Sequence, residues 1–140
     1  MVDWHDAALT DPAPASDEAV RAAEQQLRVR FPADFLAVAR AHQGAAPEPA
    51  KVDLPDGSVT SVGHLLHFED GIANIAARRF PVEAVLQKGV IPFAEDIGGD
   101  LFCFNYRKTP DAPSVLYWSV DFGPVPIAAD FESFVGMLHA

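Results

Sequence analysis

Three groups of side chains in this sequence are of the types that chemistry uses. The first is Glu95, Asp96 and Asp100, which flank Gly98 and Gly99 within IPFAEDIGGDLFCFNY, residues 91–106. Carboxylates gathered on one turn can hold Mg²⁺ or Ca²⁺, or divide acid and base roles between them. The second is His64, His67, Glu69 and Asp70, all of types that ligate a divalent metal. The third is Cys103, a nucleophile wherever a histidine or other electropositive neighbour lowers its pKa.

Physical objections stand against catalysis in each group. A catalytic carboxylate wants a dry cleft with groups that hold substrate, and an acidic turn offers solvent instead. The same turn serves as a purely structural one, with Asp100 bonding the turn backbone, or as an edge for a protein partner. His64 and His67 lie three apart, which in a strand puts them on opposite faces. Cys103 stands between Phe102 and Phe104, the setting of a buried, inert thiol. A GxGxxG after a strand, a P-loop, a GxSxG and a paired CxxC are all missing. No catalytic residue, metal or cofactor is therefore expected.

Holding these residues in place takes a sheet. Ile91 and Phe93 alternate with Pro92 and Ala94 as in a short strand. Gly98 and Gly99 break the run, because glycine takes positive φ without steric cost. Leu101 to Tyr106 then resumes as an aromatic-rich strand. Leu101, Cys103 and Asn105 share one face, and Phe102, Phe104 and Tyr106 the other. Both faces are largely apolar, so alternation leaves open which is buried.

Helices flank this hairpin on both sides in sequence. Ser16 caps a helix with Asp17 and Glu18 in its first turn and a stripe of Val20, Ala23 and Leu27. Pro32 suits the first position of a second helix, which carries Phe35, Leu36, Val38 and Ala39 and stops at Gly44. Residues 45–63 read as a loop and small hairpin turning at Asp56-Gly57, and 64–68 as a strand. Ala73 to Arg79 is compatible with a helix that Pro81 must break. Ser114 to Phe122 reads as a strand with Leu116, Trp118 and Val120 on one face. Tyr117 and Trp118 point opposite ways, one into the core and one toward a surface suited to a partner. Asp130 caps a last helix striped by Phe131, Phe134, Val135 and Leu138. The order predicts an α+β fold: an antiparallel (mixed) sheet covered on one face by the N-terminal helices and a C-terminal helix. Residues 1–15 read as a weakly structured leader and 16–140 as a single domain.

With 140 residues the chain can bury a real core, one rich in phenyl rings given ten Phe against two Trp and two Tyr. A net charge of −10 argues against binding to a nucleic-acid backbone. No apolar run approaches the roughly 20 residues of a membrane span, and the start of the chain lacks the features of a signal peptide. A single cysteine excludes an intramolecular disulfide and suits a reducing cytoplasm. From Gly89 onward the bases are Arg107 and Lys108, against Glu95, Asp96, Asp100, Asp111, Asp121, Asp130 and Glu132. Such a sign-biased surface steers a basic partner, or serves solubility alone. Oligomeric state stays open.

In three blocks the chain resembles the SUKH superfamily, which includes the fungal cell-wall-assembly regulator and many bacterial immunity proteins. Val20, Glu24, Leu27, Phe31-Pro32, Phe35-Leu36 and Gly44 are similar to its first helix, proline break and closing Asn-Gly. The second block is residues 91–106, matching a Pro-Phe (Pro92-Phe93), a Gly-Asp (Gly99-Asp100) and the strand that follows. The third is SVLYWSVD, with Trp118, and IAADFESFVGML, with Phe131 and Phe134. Phe31 stands for the usual leucine before proline, and Gln43 for the usual asparagine before Gly44, a change expected to alter the helix exit.

The resemblance implies a non-enzymatic α+β binding domain that neutralises a cognate toxin, often a nuclease, encoded beside it. Because nuclease clefts are basic, Glu95, Asp96, Asp100 and Asp121 are the expected partner contacts. A regulatory scaffold without a toxin, and a metal-dependent enzyme built on the acidic turn, are the alternatives.

Overall fold

The computed structural model describes residues 2–10, 12–78 and 88–140. Along the chain run β1 (Asp3–His5), α1 (Asp17–Leu27), α2 (Ala33–Ala41), β2 (Ala46–Glu48), β3 (Lys51–Asp53) and β4 (Val59–Leu65). After them come β5 (Val90–Asp96), β6 (Leu101–Asn105), β7 (Ser114–Ser119), β8 (Gly123–Ala128) and α3 (Phe131–Met137). Strands β3 to β8 form one six-stranded antiparallel sheet in chain order, and β1 pairs with β2 in a second, small sheet. The fold is α+β, as expected.

Helix ends follow local chemistry. Ser16 Oγ accepts from Ala19 N–H at 3.1 Å, and Val20 and Ala23 are buried below it. Helix α1 ends at Arg28 in left-handed geometry, with φ of 58°. The Glu24 carboxylate then accepts from Phe31 N–H at 2.8 Å, which turns the chain into α2. Pro32 immediately precedes α2. Beyond that helix, Gly44 has φ of +66°, and a Cβ there would lie 3.0 Å from Ala8 Cβ, so conformation and space both demand glycine. Gln43 is fully buried. Its side-chain amide donates to Ala13 O at 2.6 Å and Glu69 Oε1 at 3.1 Å, and accepts from Phe68 N–H at 3.0 Å. What stands in for asparagine is thus a polar strut between three segments.

Several elements differ from the sequence expectation. The segment before Ser16 was expected to be weakly structured, yet Asp3–His5 pairs with Ala46–Glu48 and Ala8 N–H donates to Gly44 O at 3.0 Å. Its structure is supplied by a distant partner, which local pattern does not contain. Strand β4 starts at Val59 and ends at Leu65, earlier than the 64–68 window. Pairing on both sides, Lys51 with Ser61 and Val62 with Asp96, recruits polar residues that alternation alone would exclude. The Asp56-Gly57 turn forms as expected, with Asp56 Oδ1 accepting from Ser58 N–H at 2.9 Å. Strand β7 stops at Ser119, leaving Val120 in the turn. Strand β8 was not foreseen, because Pro124 and Pro126 cannot donate. They alternate along the strand, so both missing N–H groups fall on its open side, and an edge strand tolerates that. Of the Ala73–Arg79 segment, Ile75 and Ala76 are buried in a turn, while Arg79 and Pro81 lie outside the described residues.

The core fills the concave face with phenyl rings. Phe35 packs on Phe31, Phe93, Phe104 and Phe131 at centroid distances of 5.1–5.6 Å, mostly edge-on. Phe93 stacks on Phe104 at 4.3 Å, and Phe134 closes over Phe93 and Phe102. Phe102, Phe104 and Tyr106 belong to this core, together with Tyr117. Leu101 and Cys103 face the other way into a smaller cluster with Val90 and Leu116, and half-buried Trp118 packs against it. Both faces of β6 are therefore buried. Helix α3 touches β3 as well as β7 and β8. In a flat sheet those edges would lie about 24 Å apart, whereas a seven-residue helix is only about 10 Å long. The sheet must curl, and past α3 His139 pairs with Lys51 to cover the β3 edge.

Phe35→Ala removes the ring that joins α2 to β5, β6 and α3. Urea unfolding is expected to show a loss of about 3–5 kcal/mol. A loss below about 1 kcal/mol would mean that the cluster repacks over the hole.

Candidate functional site

The antiparallel meander sends the β3–β4, β5–β6 and β7–β8 turns to one end of the sheet, and the acidic turn is the middle one. Asp96 closes β5, with its N–H donating to Asp100 O at 2.8 Å. Gly99 has φ of +91°, which lets the chain reverse. The Asp96 side chain turns inward and the residue is only 6% exposed. Its Oδ1 accepts from Gly98 N–H and Asp100 N–H, each at 2.8 Å. Its Oδ2 accepts from Thr60 Oγ1 at 2.9 Å and from the Tyr117 hydroxyl. One carboxylate thus ties the turn to β4 on one side and β7 on the other. The Tyr117 hydroxyl also lies 3.0 Å from Asp100 Oδ2. Burial first, then these two carboxylates, raises the Tyr117 pKa far above the ordinary tyrosine value.

The other acids fare differently. Glu95, next to Asp96, points to the opposite side of the strand, where it bonds the Arg78 guanidinium and sits 3.5 Å from His64 Nε2. Arg78 also donates to Gly99 O at 3.4 Å. Asp121 is exposed in the β7–β8 turn, which Ser119 Oγ organises by accepting from Phe122 N–H at 3.0 Å. The four acids singled out in the sequence do reach one end of the sheet. Asp96 is nonetheless a buried structural group and Glu95 is charge-compensated, so Asp100 and Asp121 keep the more available charge.

The histidine group is not brought together. His64 turns to Glu95, and its Nδ1 lies 2.9 Å from Leu65 O. His67 is buried, accepts from Glu69 N–H at 3.1 Å, and is held by burial below the ordinary histidine pKa. Among the described residues, no group of three or more His, Cys, Asp and Glu is placed to hold a metal ion. Cys103 is fully buried, and burial pushes its thiol far up.

Sequence reasoning missed Thr60, which fixes Asp96, and left open whether Tyr117 or Trp118 is the core residue. It also passed over Ile97 and set Val120 and Phe122 in a strand, whereas all three are large apolar side chains left in solvent at the same end. Their signal was present: apolar residues inside turns whose neighbours are Asp and Gly. At the far end of the sheet a broad groove is lined by Arg21, Arg28, Arg30 and Lys88 beside Tyr106. The Tyr106 hydroxyl donates to Arg30 O at 2.8 Å, and burial raises its pKa well above the ordinary value.

Residues 14–137 match the family model described as SMI1 / KNR4 family (SUKH-1). No curated protein matches the chain.

Asp96→Ala strands two turn amides and two hydroxyls, and is expected to cost roughly 2–4 kcal/mol in thermal or urea unfolding. Asp96→Asn should cost less, because the Thr60 and Tyr117 hydroxyls can turn and accept from the new amide N–H groups. An equal loss in both variants would contradict that account. The chain's two tyrosines both have folded pKa values raised above 10.0. Their contribution to stability is complete below pH 10 and is lost as pH rises beyond it, since only the unfolded chain ionises there. Tyrosinate absorbance should therefore rise together with loss of the circular dichroism of the fold. A midpoint near pH 10 in a still-folded protein would refute this.

Proposed function

The chain belongs to the SMI1 / KNR4 family (SUKH-1), and from that we propose a non-catalytic protein-binding domain that acts as an immunity protein, neutralising a cognate toxin by direct contact. The observation that carries this reading is the state of Asp96. The carboxylate best placed by sequence for chemistry already accepts four hydrogen bonds from its own fold. Cys103 and His67 are buried, and Glu95 is matched by Arg78. The groups that could do chemistry thus act in building the sheet. What faces outward is an acidic surface on a chain of net charge −10.

An acidic protein suits a toxin whose cleft holds phosphates. Such clefts are basic, and opposite fields speed encounter and orient the pair. Inhibition then needs only occupation of the cleft. We place this action in the cytoplasm, where a toxin entering the cell would act; no described helix is long and apolar enough to cross a membrane.

Co-expression with the product of the gene beside its own, in cells that this product alone kills, is the test. Restored growth, with both proteins recovered as one complex, is the expected result. Continued toxicity with no complex recovered would sink the immunity reading and leave a regulatory scaffold role in its place.

A further inference from the structure

We propose that the sheet end built by the β3–β4, β5–β6 and β7–β8 turns is the docking surface, and that its partner presents an apolar contact ringed by basic side chains. The inference rests on the protein-binding reading above and adds where the partner sits and what chemistry it must have.

Topology brings the parts together. Alternate turns of a meander lie two strand spacings apart, about 10 Å, so three turns span about 20 Å. On or beside them stand Val59, Ile97, Val120 and Phe122, which are 54%, 76%, 81% and 73% exposed. Ile97 N–H donates to Ser61 O at 3.1 Å, which sets Ile97 beside the start of β4, near Val59. The 3.0 Å contact of Asp100 with the Tyr117 hydroxyl sets the same turn beside β7, whose end leads to Val120 and Phe122. Single exposed apolar residues are ordinary. Among the described residues, four of the five large ones share one end, and turns, which favour Gly, Asn and Asp, have no folding use for them. Gathered apolar groups with a polar rim mark an interaction site.

The turns are also held rigid before any partner arrives. Asp96 fixes the middle one, Asp56 fixes the first through Ser58, and Ser119 fixes the last through Phe122 N–H. Anchors presented on an ordered backbone lose little conformational entropy on binding.

Charge chooses the occupant. Asp56, Asp100 and Asp121 lie at this end, and none is in an ion pair among the described residues. Arg78, which reaches this end, is tied to Glu95 and Gly99 O. Four bases, Arg21, Arg28, Arg30 and Lys88, against two acids, Glu24 and Asp111, line the groove beside Tyr106 at the opposite end. The molecule is therefore polarised along its strands. A basic partner is drawn to the turn end and repelled from the groove, whereas a second copy docking turn end to turn end would meet like charge.

The probe is the purified product of the gene beside its own, with affinity and rates measured for the wild-type chain and three double variants. Ile97→Ser with Phe122→Ser should weaken binding about 100-fold, two anchors at about tenfold each. Asp56→Asn with Asp121→Asn should slow association several-fold and flatten its salt dependence, with dissociation little changed. Arg21→Gln with Arg28→Gln should leave affinity within twofold. All the substituted side chains are exposed, so unchanged melting temperatures will verify folding. Wild-type binding that survives the Ile97/Phe122 change within threefold overturns the docking surface and leaves the protein-binding reading standing. Loss of affinity in the Arg21/Arg28 variant instead moves the interface to the groove and overturns it as well. A dimer abolished by Ile97→Ser with Phe122→Ser would assign the patch to a second copy, with the same consequence. No binding by the wild-type chain removes the underlying reading, and the docking surface with it.

Discussion

One short helix has to touch both edges of a six-stranded sheet, and the rest of the architecture follows from that. Helix α3 is seven residues long and packs on β3, β7 and β8. Only a curled sheet brings those strands within its reach. Register shifts at Val62/His64, Pro92/Ala94 and Val115/Leu116 supply the bends, since a bulge kinks its strand and increases local twist. Phenyl rings suit the hollow that results. Flat rings packed edge to face fill a curved space between layers that are not parallel, and Phe35 meets rings from α3, β5 and β6 at once.

At the end of the sheet where Asp96 sits, the work of holding passes from rings to one carboxylate. Thr60, Asp96 and Tyr117 come from β4, β5 and β7, and β6 intervenes between the last two. A tyrosine is long enough to reach across, and a buried carboxylate is stable only with its lone pairs matched by donors. That requirement separates acids that look alike in sequence. Glu95 and Asp96 are neighbours, yet one is met by a guanidinium and the other by hydroxyls and amides. Asp121, with no such partners among the described residues, is left to solvent.

Elements with local causes were legible. Ser16 and Asp130 cap their helices through their own side chains, and the Asp56-Gly57 and Gly98-Gly99 turns carry their conformation in residue type. The apolar stripes of α1 and α3 marked their buried faces. Less legible was anything whose stabilising partner is far away in the chain. Strand β1 exists because residues 46–48 lie beside it, β8 because β7 does, and the buried amide of Gln43 because Ala13, Phe68 and Glu69 converge on it. The candidate site divides the same way. Its acids could be read, and so could the place of Ile97 in the Gly-Gly turn, but the burial of Asp96 could not be.

For the hairpin of residues 91–106 the division is sharp. Sequence alone determined two strands, a glycine turn and three acids around it, because alternation and positive φ are properties of single residues and their neighbours. It also carried the family, through the order and spacing of its three blocks. Tertiary structure decided which face of β6 met the helices, and the answer was that both faces are buried. It decided as well that Asp96 would serve the fold while Asp100 and Asp121 stayed more open to a partner. Burial and charge compensation depend on what other segments bring within a few ångströms, and no local pattern encodes that.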